Sequence, residues 1–78
     1  MSKKITVLVD NTKQSGQVLN FIIKNNIAHN LITDENIVRE AKEILDFEPP
    51  IILCYDENKN QYFIIENKKE LMEIKNGS

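Results

Sequence analysis

The stretch of sequence that most constrains the fold is PPIILCY, residues 49–55. Its last five residues form a continuous apolar run, which is typical of a strand that is covered on both faces of a sheet. Because the residue before a proline is disfavoured in helical geometry, the pair Pro49-Pro50 must also end the helix that precedes it. We therefore expect a buried central strand that begins shortly after a helix.

A second run of the same kind, ITVLV at residues 5–9, predicts another central strand. The segment 10–12 ends this strand and supplies several possible caps for the helix that follows. That helix has a broad apolar face and is expected to stop at Asn25-Asn26. Residues 27–32 then offer a short strand, and their polar content indicates an edge position.

The clearest helical period of the chain lies just before the proline pair. Residues 33–35 begin this helix and place acidic groups where the helix dipole favours them. The apolar positions that set the period are Ile37, Val38, Ala41, Ile44 and Leu45.

After the central strand at residues 51–55, the polar segment 56–60 predicts a turn, and residues 61–65 return as an antiparallel partner. A last short helix is expected after Asn67, which forms with Glu70 the sequence pattern of a capping box.

The resulting order, β-α-β-α-β-β-α, occupies a single domain of residues 1–78. The first strand-helix-strand unit should be parallel, and the hairpin adds two antiparallel strands. The first and third strands are the continuous apolar runs, so they should lie at the centre. We predict an α/β fold with a four-stranded mixed sheet in strand order 2-1-3-4. A ferredoxin-like arrangement would need a strand where residues 67–75 indicate a helix.

This order, with a proline entering the third strand, resembles the glutaredoxin branch of the thioredoxin superfamily from Lys4 to about Lys75. The family carries a Cys-x-x-Cys motif between the first strand and the first helix. Aligning the apolar residues of that helix places residues 12–15, TKQS, at the motif. Pro50 matches the family's cis-proline, which faces the motif. The resemblance implies a glutaredoxin-like thioredoxin fold.

Three departures from the family pattern bear on activity. Neither motif cysteine is present, and the hydroxyls of Thr12 and Ser15 cannot form a disulfide. Pro49 stands where the family pairs its backbone with glutathione, and it has no N–H to donate. The bulkier, acidic stretch 65–67 replaces the Gly-Gly that approaches the glutathione carboxylate in the family. Together these departures argue against a glutathione-dependent reductase.

Composition excludes several other classes of function. The net charge of −2 is too balanced for a nucleic-acid footprint or an electrostatic membrane anchor. One cysteine allows no internal disulfide, and the first apolar run is too short for a signal peptide. We expect a cytoplasmic protein whose partner is another protein, neither nucleic acid nor membrane.

Individual polar residues give weaker signals. Cys54 is expected to be a buried core thiol, and His29 a surface or edge residue. The pairs Asp34-Glu35 and Asp56-Glu57 are interpreted as a helix start and a solvated turn. The segment from Asn11 to Gly16 is open to two interpretations, plain capping or a loop that binds an anion or a partner's carboxylate.

The sequence thus favours a redox-inactive glutaredoxin-like domain, without catalytic residues, cofactor or metal, that acts as a protein-binding module. Its binding surface would be the former active-site face, made of Thr12, Lys13, Gln14, Ser15, Pro49 and Pro50. The alternative is a divergent glutaredoxin-type thiol-disulfide oxidoreductase, or a glutathione-binding protein, that uses Cys54 or a partner's thiol. A third possibility is a structural subunit that adds strands through an edge of its sheet, for instance as a homodimer.

Overall fold

The computed structural model describes residues 3–77. Along this part of the chain the strands and helices follow the predicted order: β1 Lys3–Leu8, α1 Lys13–Lys24, β2 Asn30–Ile32, α2 Glu35–Leu45, β3 Ile51–Asp56, β4 Gln61–Ile65 and α3 Lys68–Gly77. No helix among these residues is both long enough and apolar enough to cross a membrane.

Strands β1 and β3 lie at the centre of one four-stranded sheet with the order β2-β1-β3-β4. β1 is parallel to β2 and antiparallel to β3, and β3 is antiparallel to β4. The predicted mixed sheet and its strand order are therefore confirmed. The apolar runs at residues 5–9 and 51–55 can be covered on both faces, as the two central positions require.

Alternate residues of the central strands face two separate hydrophobic clusters. Ile52 and Cys54 of β3 lie in the cluster that packs with α1 and α3. Ile51 lies in the other cluster, together with Val38 of α2. The sheet is thus a middle layer with α1 and α3 on one face and α2 on the other.

Helix α2 begins and ends at aspartates. Oδ1 of Asp34 accepts hydrogen bonds from the backbone N–H groups of Asn36 at 2.9 Å and Ile37 at 3.3 Å, so the predicted helix start is confirmed. At the other end Asp46 adopts a left-handed conformation, with φ of 53°, before the chain turns towards Pro49.

Helix α3 has half of the predicted capping box. Oδ1 of Asn67 accepts a hydrogen bond from the Glu70 N–H at 2.8 Å, as the pattern requires. The Glu70 carboxylate does not complete the reciprocal bond to the Asn67 backbone. Instead, its Oε1 accepts from the Glu66 N–H at 3.4 Å and from the Asn67 side-chain amide at 3.3 Å.

Two segment predictions are wrong in part. β2 covers Asn30–Ile32 and not residues 27–32, because the N–H of Ile27 donates to the Ile22 carbonyl at 3.1 Å and ends helix α1. Asp56 does not belong to a solvated turn. It is the last residue of β3, it is buried, and its Oδ1 accepts a hydrogen bond from the Asn58 N–H at 3.0 Å.

Candidate functional site

The loop between β1 and α1, which contains part of the predicted binding face, is organised by Asp10. Its Oδ1 accepts three hydrogen bonds, from the Thr12 N–H at 3.1 Å, the Thr12 hydroxyl at 2.5 Å and the Ser15 hydroxyl at 2.7 Å. The Ser15 oxygen in turn accepts the backbone N–H of Asp10 at 3.2 Å. A closed set of hydrogen bonds therefore joins the end of β1 to the first turn of α1.

The four residues of the TKQS segment do not share one environment. Thr12 is the exposed N-cap of α1, and its side chain accepts the Ser15 N–H at 3.3 Å. Lys13 and Gln14 are exposed. Ser15 is 1% exposed and faces the interior. Of the predicted binding face, this segment therefore presents Thr12, Lys13 and Gln14 to solvent.

The hydroxyl hydrogen bonds also set the charge of the loop. Donation from Thr12, and secondly from Ser15, holds the pKa of the Asp10 carboxyl below its ordinary value of 3.8. At neutral pH Asp10 is therefore a carboxylate that only accepts hydrogen bonds. Both hydroxyls donate to this carboxylate, so they are tied to the loop's own hydrogen bonds.

The proline pair lies between two hollows, with Pro49 and Pro50 each half-buried. The peptide bond that joins them is cis. Pro49 lines a hollow of about 390 Å³ together with Asp10 and Asn11 of the loop. Pro50 lines a second hollow of about 210 Å³ that α1 and the start of α3 border. Pro49 thus lies beside Asp10 and Asn11 of the β1–α1 loop, and neither hollow is lined by residues 12–15.

The hollow beside Pro49, which we call the polar hollow, has a mixed charge. Glu35, Arg39 and Lys42 of α2 line it, as does Asp10. The Arg39 guanidinium donates to Oδ1 of Asn36 at 2.8 Å, and the Lys42 ammonium lies 3.2 Å from the exposed Glu48 carboxylate. Both contacts are exposed, and an exposed ion pair such as Lys42–Glu48 contributes little to stability.

The hollow beside Pro50, which we call the apolar hollow, is lined mainly by hydrocarbon. Its apolar wall consists of Val18, Phe21, Phe47, Pro50, Ile52, Ile65 and Leu71. Glu66, Asn67 and Lys68 form its polar rim, and the Lys68 ammonium lies 5.1 Å from the centre of the Phe21 ring. Glu66 and Asn67 of this rim belong to the stretch 65–67, where the resemblance to glutaredoxins predicts a departure from the family pattern.

The remaining candidate residues lie away from this face or inside the core. The prediction that Cys54 is buried is confirmed, since its side chain is 0% exposed in the centre of the sheet. His29 is half-buried, and its Nδ1 lies 2.8 Å from the Ile27 carbonyl oxygen. Within residues 3–77, no group of three His, Cys, Asp or Glu side chains could hold a metal ion.

Sequence reasoning missed the central role of Asp10 and the two cations of the polar hollow. Asp10 ends an apolar run, a position where a polar residue signals only the end of a strand. The spacing of Asp10, Thr12 and Ser15 could have indicated these contacts. When a helix begins just after a strand, the side chains two and five residues beyond the last strand position can lie beside that position. Arg39 and Lys42 occupy one side of α2, and only the fold shows that this side borders Pro49.

Comparison of the chain with protein-family models, with curated proteins and with solved structures found no match.

Proposed function

We propose that this protein is a glutaredoxin-like domain of thioredoxin fold that has lost thiol chemistry and binds another protein through the former active-site face. That face comprises Thr12, Lys13 and Gln14 on one side and Pro49 and Pro50 on the other. The order of elements and the sheet order β2-β1-β3-β4 support the assignment of the fold.

The observation that carries the proposal is that both hydroxyls at the expected cysteine positions donate to the Asp10 carboxylate. A cysteine at a helix N-terminus is activated because its thiolate is stabilised there. Thr12 and Ser15 occupy those positions, yet their oxygens hold the loop together at 2.5 and 2.7 Å from Oδ1 of Asp10. The positions therefore serve structure, and no sulfur is present there.

The sole cysteine of the chain does not replace the missing thiols. Cys54 lies in β3, where its side chain is packed in the cluster beneath α1 and α3. A substrate disulfide could reach its sulfur only if this core opened. The burial of Cys54 weighs against the alternative of a divergent thiol oxidoreductase that uses this residue.

The two hollows suit the binding of an extended segment from a partner protein. A segment that crosses Pro49 and Pro50 would place an apolar side chain in the apolar hollow and polar groups in the polar hollow. Binding surfaces commonly combine an apolar pocket with a few polar groups that fix orientation. The exposed Lys13 and Gln14 extend the same surface at the start of α1.

A test uses short peptides selected from a displayed random library against the wild-type chain. Bound peptides are expected to shift the amide resonances of residues 11–14 and of Ile51, which adjoin the proposed face. Lys13→Glu should change their affinity at least about fivefold. Lys24→Glu, the matched control, reverses an exposed lysine at the opposite end of the same helix and should have little effect.

Two results would contradict this function. One is that the selected peptides shift the amides of β2 or β4 while leaving residues 11–14 unchanged. The other is that both lysine substitutions alter affinity equally, since a peptide bound at the proposed face lies near Lys13 and one full helix away from Lys24.

A further inference from the structure

The polar hollow lies where the chain leaves two neighbouring parallel strands. β1 and β2 are parallel neighbours, and the Val9 N–H just beyond β1 still donates to the Ile32 carbonyl at 3.1 Å. After this bond the first strand leads to α1 on one face of the sheet, and the second leads to α2 on the other face. The two connections therefore separate at the carboxyl ends of the strands and leave a crevice between them.

A crevice of this kind is the usual ligand site of an open α/β sheet. The polar hollow occupies it, because Asp10 and Asn11 follow β1 and Thr33 follows β2. Its volume of about 390 Å³ lies within the range of about 300–1,000 Å³ that is typical of small-molecule sites. Topology and size thus both favour a small ligand in this hollow.

Part of the lining of the polar hollow is apolar. Val9 and Val38 belong to the core, with 7% and 4% of their surface exposed, and Pro49 is half-buried. Sites for small ligands commonly combine such a surface with a few polar groups that fix the orientation of the ligand. A ligand that fits here therefore has a small hydrocarbon part as well as polar groups.

The polar groups of the hollow carry both signs of charge. Glu35 and Arg39 are four residues apart on α2, a spacing that sets Cβ atoms about 5–6 Å apart on one side of a helix. They do not pair with each other. Within residues 3–77 the ion pair of this region is Lys42–Glu48, and the Arg39 guanidinium donates instead to the Asn36 side chain. A carboxylate and a guanidinium thus lie side by side without an opposite charge as partner.

We propose that the polar hollow binds a free α-amino acid with a small apolar side chain. The carboxylate of the amino acid pairs with Arg39, whose planar group can donate two parallel hydrogen bonds to one carboxylate. The ammonium group has three protons to donate. The hollow offers three acceptors for them, namely the carboxylates of Glu35 and Asp10 and the hydroxyl of Thr33.

The mixture of charges selects a zwitterion over other small ligands. An anion such as phosphate would be repelled by the two carboxylates that line the hollow, Asp10 and Glu35. A simple cation would be repelled by Arg39 and Lys42 in the same way. The interior of a peptide segment carries neither an α-ammonium nor an α-carboxylate group, so it could not satisfy both signs through its backbone.

This small-molecule site goes beyond the proposed protein-binding function and is tested on the full chain without a partner. Amide resonances are followed while alanine, valine, leucine, isoleucine or methionine is added, each up to about 10 mM. At least one of them should shift the amides of Asn11, Thr33 and Glu35. The des-amino acid and the amide of the best ligand should each bind at least about tenfold more weakly, because each lacks one charged group.

Substitutions in the hollow test which side chains hold the ligand. Glu35→Gln and Arg39→Gln should each raise the dissociation constant of the best amino acid at least about tenfold, because each removes one charge partner. The matched controls are Glu40→Gln and Lys24→Gln. They remove charges from exposed side chains outside the hollow and should leave the constant within about twofold.

Three results would overturn the proposal. In the first, none of the five amino acids shifts the amides beside the hollow. In the second, the des-amino acid or the amide binds as tightly as the amino acid itself. In the third, Glu40→Gln weakens binding as much as Glu35→Gln does. A selected peptide that binds at residues 11–14 while no amino acid binds would overturn this site alone and leave the proposed protein-binding function standing.

Discussion

The buried Ser15 hydroxyl donates a hydrogen bond to Oδ1 of Asp10 at 2.7 Å, and its oxygen accepts the Asp10 backbone N–H at 3.2 Å. Both roles of one hydroxyl are thus used between the end of β1 and the first turn of α1. Thr12 donates to the same carboxylate oxygen. Ser15, which the proposed glutaredoxin-like alignment sets at the second cysteine position, therefore fixes the loop.

Removing the Ser15 hydroxyl should destabilise the fold. Ser15→Ala leaves the Asp10 backbone N–H without its acceptor, and we expect the free energy of unfolding to fall by about 1–3 kcal/mol in urea denaturation. Asp10→Ala and the double variant complete a cycle in which the two residues should be coupled by at least about 0.5 kcal/mol. Strictly additive effects would show that the two side chains do not interact in solution.

The low pKa of Asp10 gives stability a defined pH dependence. The folded protein binds this proton more weakly than the unfolded chain does. The contribution of the carboxylate to stability is therefore present above the ordinary pKa of 3.8 and is lost as the pH falls through the lower folded pKa. The difference in unfolding free energy between wild type and Asp10→Asn should be constant near neutral pH and shrink in acid. A difference that grows in acid would mean that the pKa shift has the opposite sign.

A substitution at Gly16, in the first turns of α1, should stabilise the protein, whereas Ser15→Ala should destabilise it. It lies inside α1, its φ is not positive, and a Cβ placed on it would meet nothing within 4 Å. Gly16→Ala should therefore raise the free energy of unfolding by about 0.5–1 kcal/mol, because alanine loses less backbone entropy in a helix. A loss of stability on urea denaturation would indicate that the first turn of α1 moves to a different conformation.

Cys54 should react with a thiol reagent only when the core opens. Its rate of labelling by an aromatic disulfide under native conditions is expected to be slow and to rise with urea, in step with unfolding. The variant Cys54→Ala/Ile44→Cys supplies the control, since residue 44 is exposed on α2 and its thiol should react at once. Equal rates for the two proteins would place Cys54 at the surface.

The fold was predictable where the sequence carries a strong local signal. Two apolar runs at residues 5–9 and 51–55 place β1 and β3 at the centre, and the proline pair separates α2 from β3. Short segments were less predictable. Ile27 is apolar enough for a strand, yet its N–H closes the end of α1, and this depends on how the chain leaves the helix.

The interactions of the candidate site were not predictable from the sequence. The sequence predicts a face that joins residues 12–15 to the proline pair, whereas the loop residues that share a hollow with Pro49 are Asp10 and Asn11. The inward turn of Ser15 and the three hydrogen bonds at Asp10 depend on the angle between β1 and α1. Likewise, the period of α2 does not show that Ile37 and Ile44 stay exposed, because a helix on one side of a sheet buries only part of its surface.

The most direct test of lost thiol chemistry is the hydroxyethyl-disulfide reductase assay, with the wild-type chain and Thr12→Cys/Ser15→Cys side by side. The wild type should give no turnover above the uncatalysed rate, since residues 12 and 15 carry hydroxyls and Cys54 is buried. The double variant should form an internal disulfide that dithiothreitol reduces, because the two positions open helix α1 as a Cys-x-x-Cys pair would. Turnover by the wild type would contradict the loss of thiol chemistry, and a double variant that forms only intermolecular disulfides would contradict the glutaredoxin-like site.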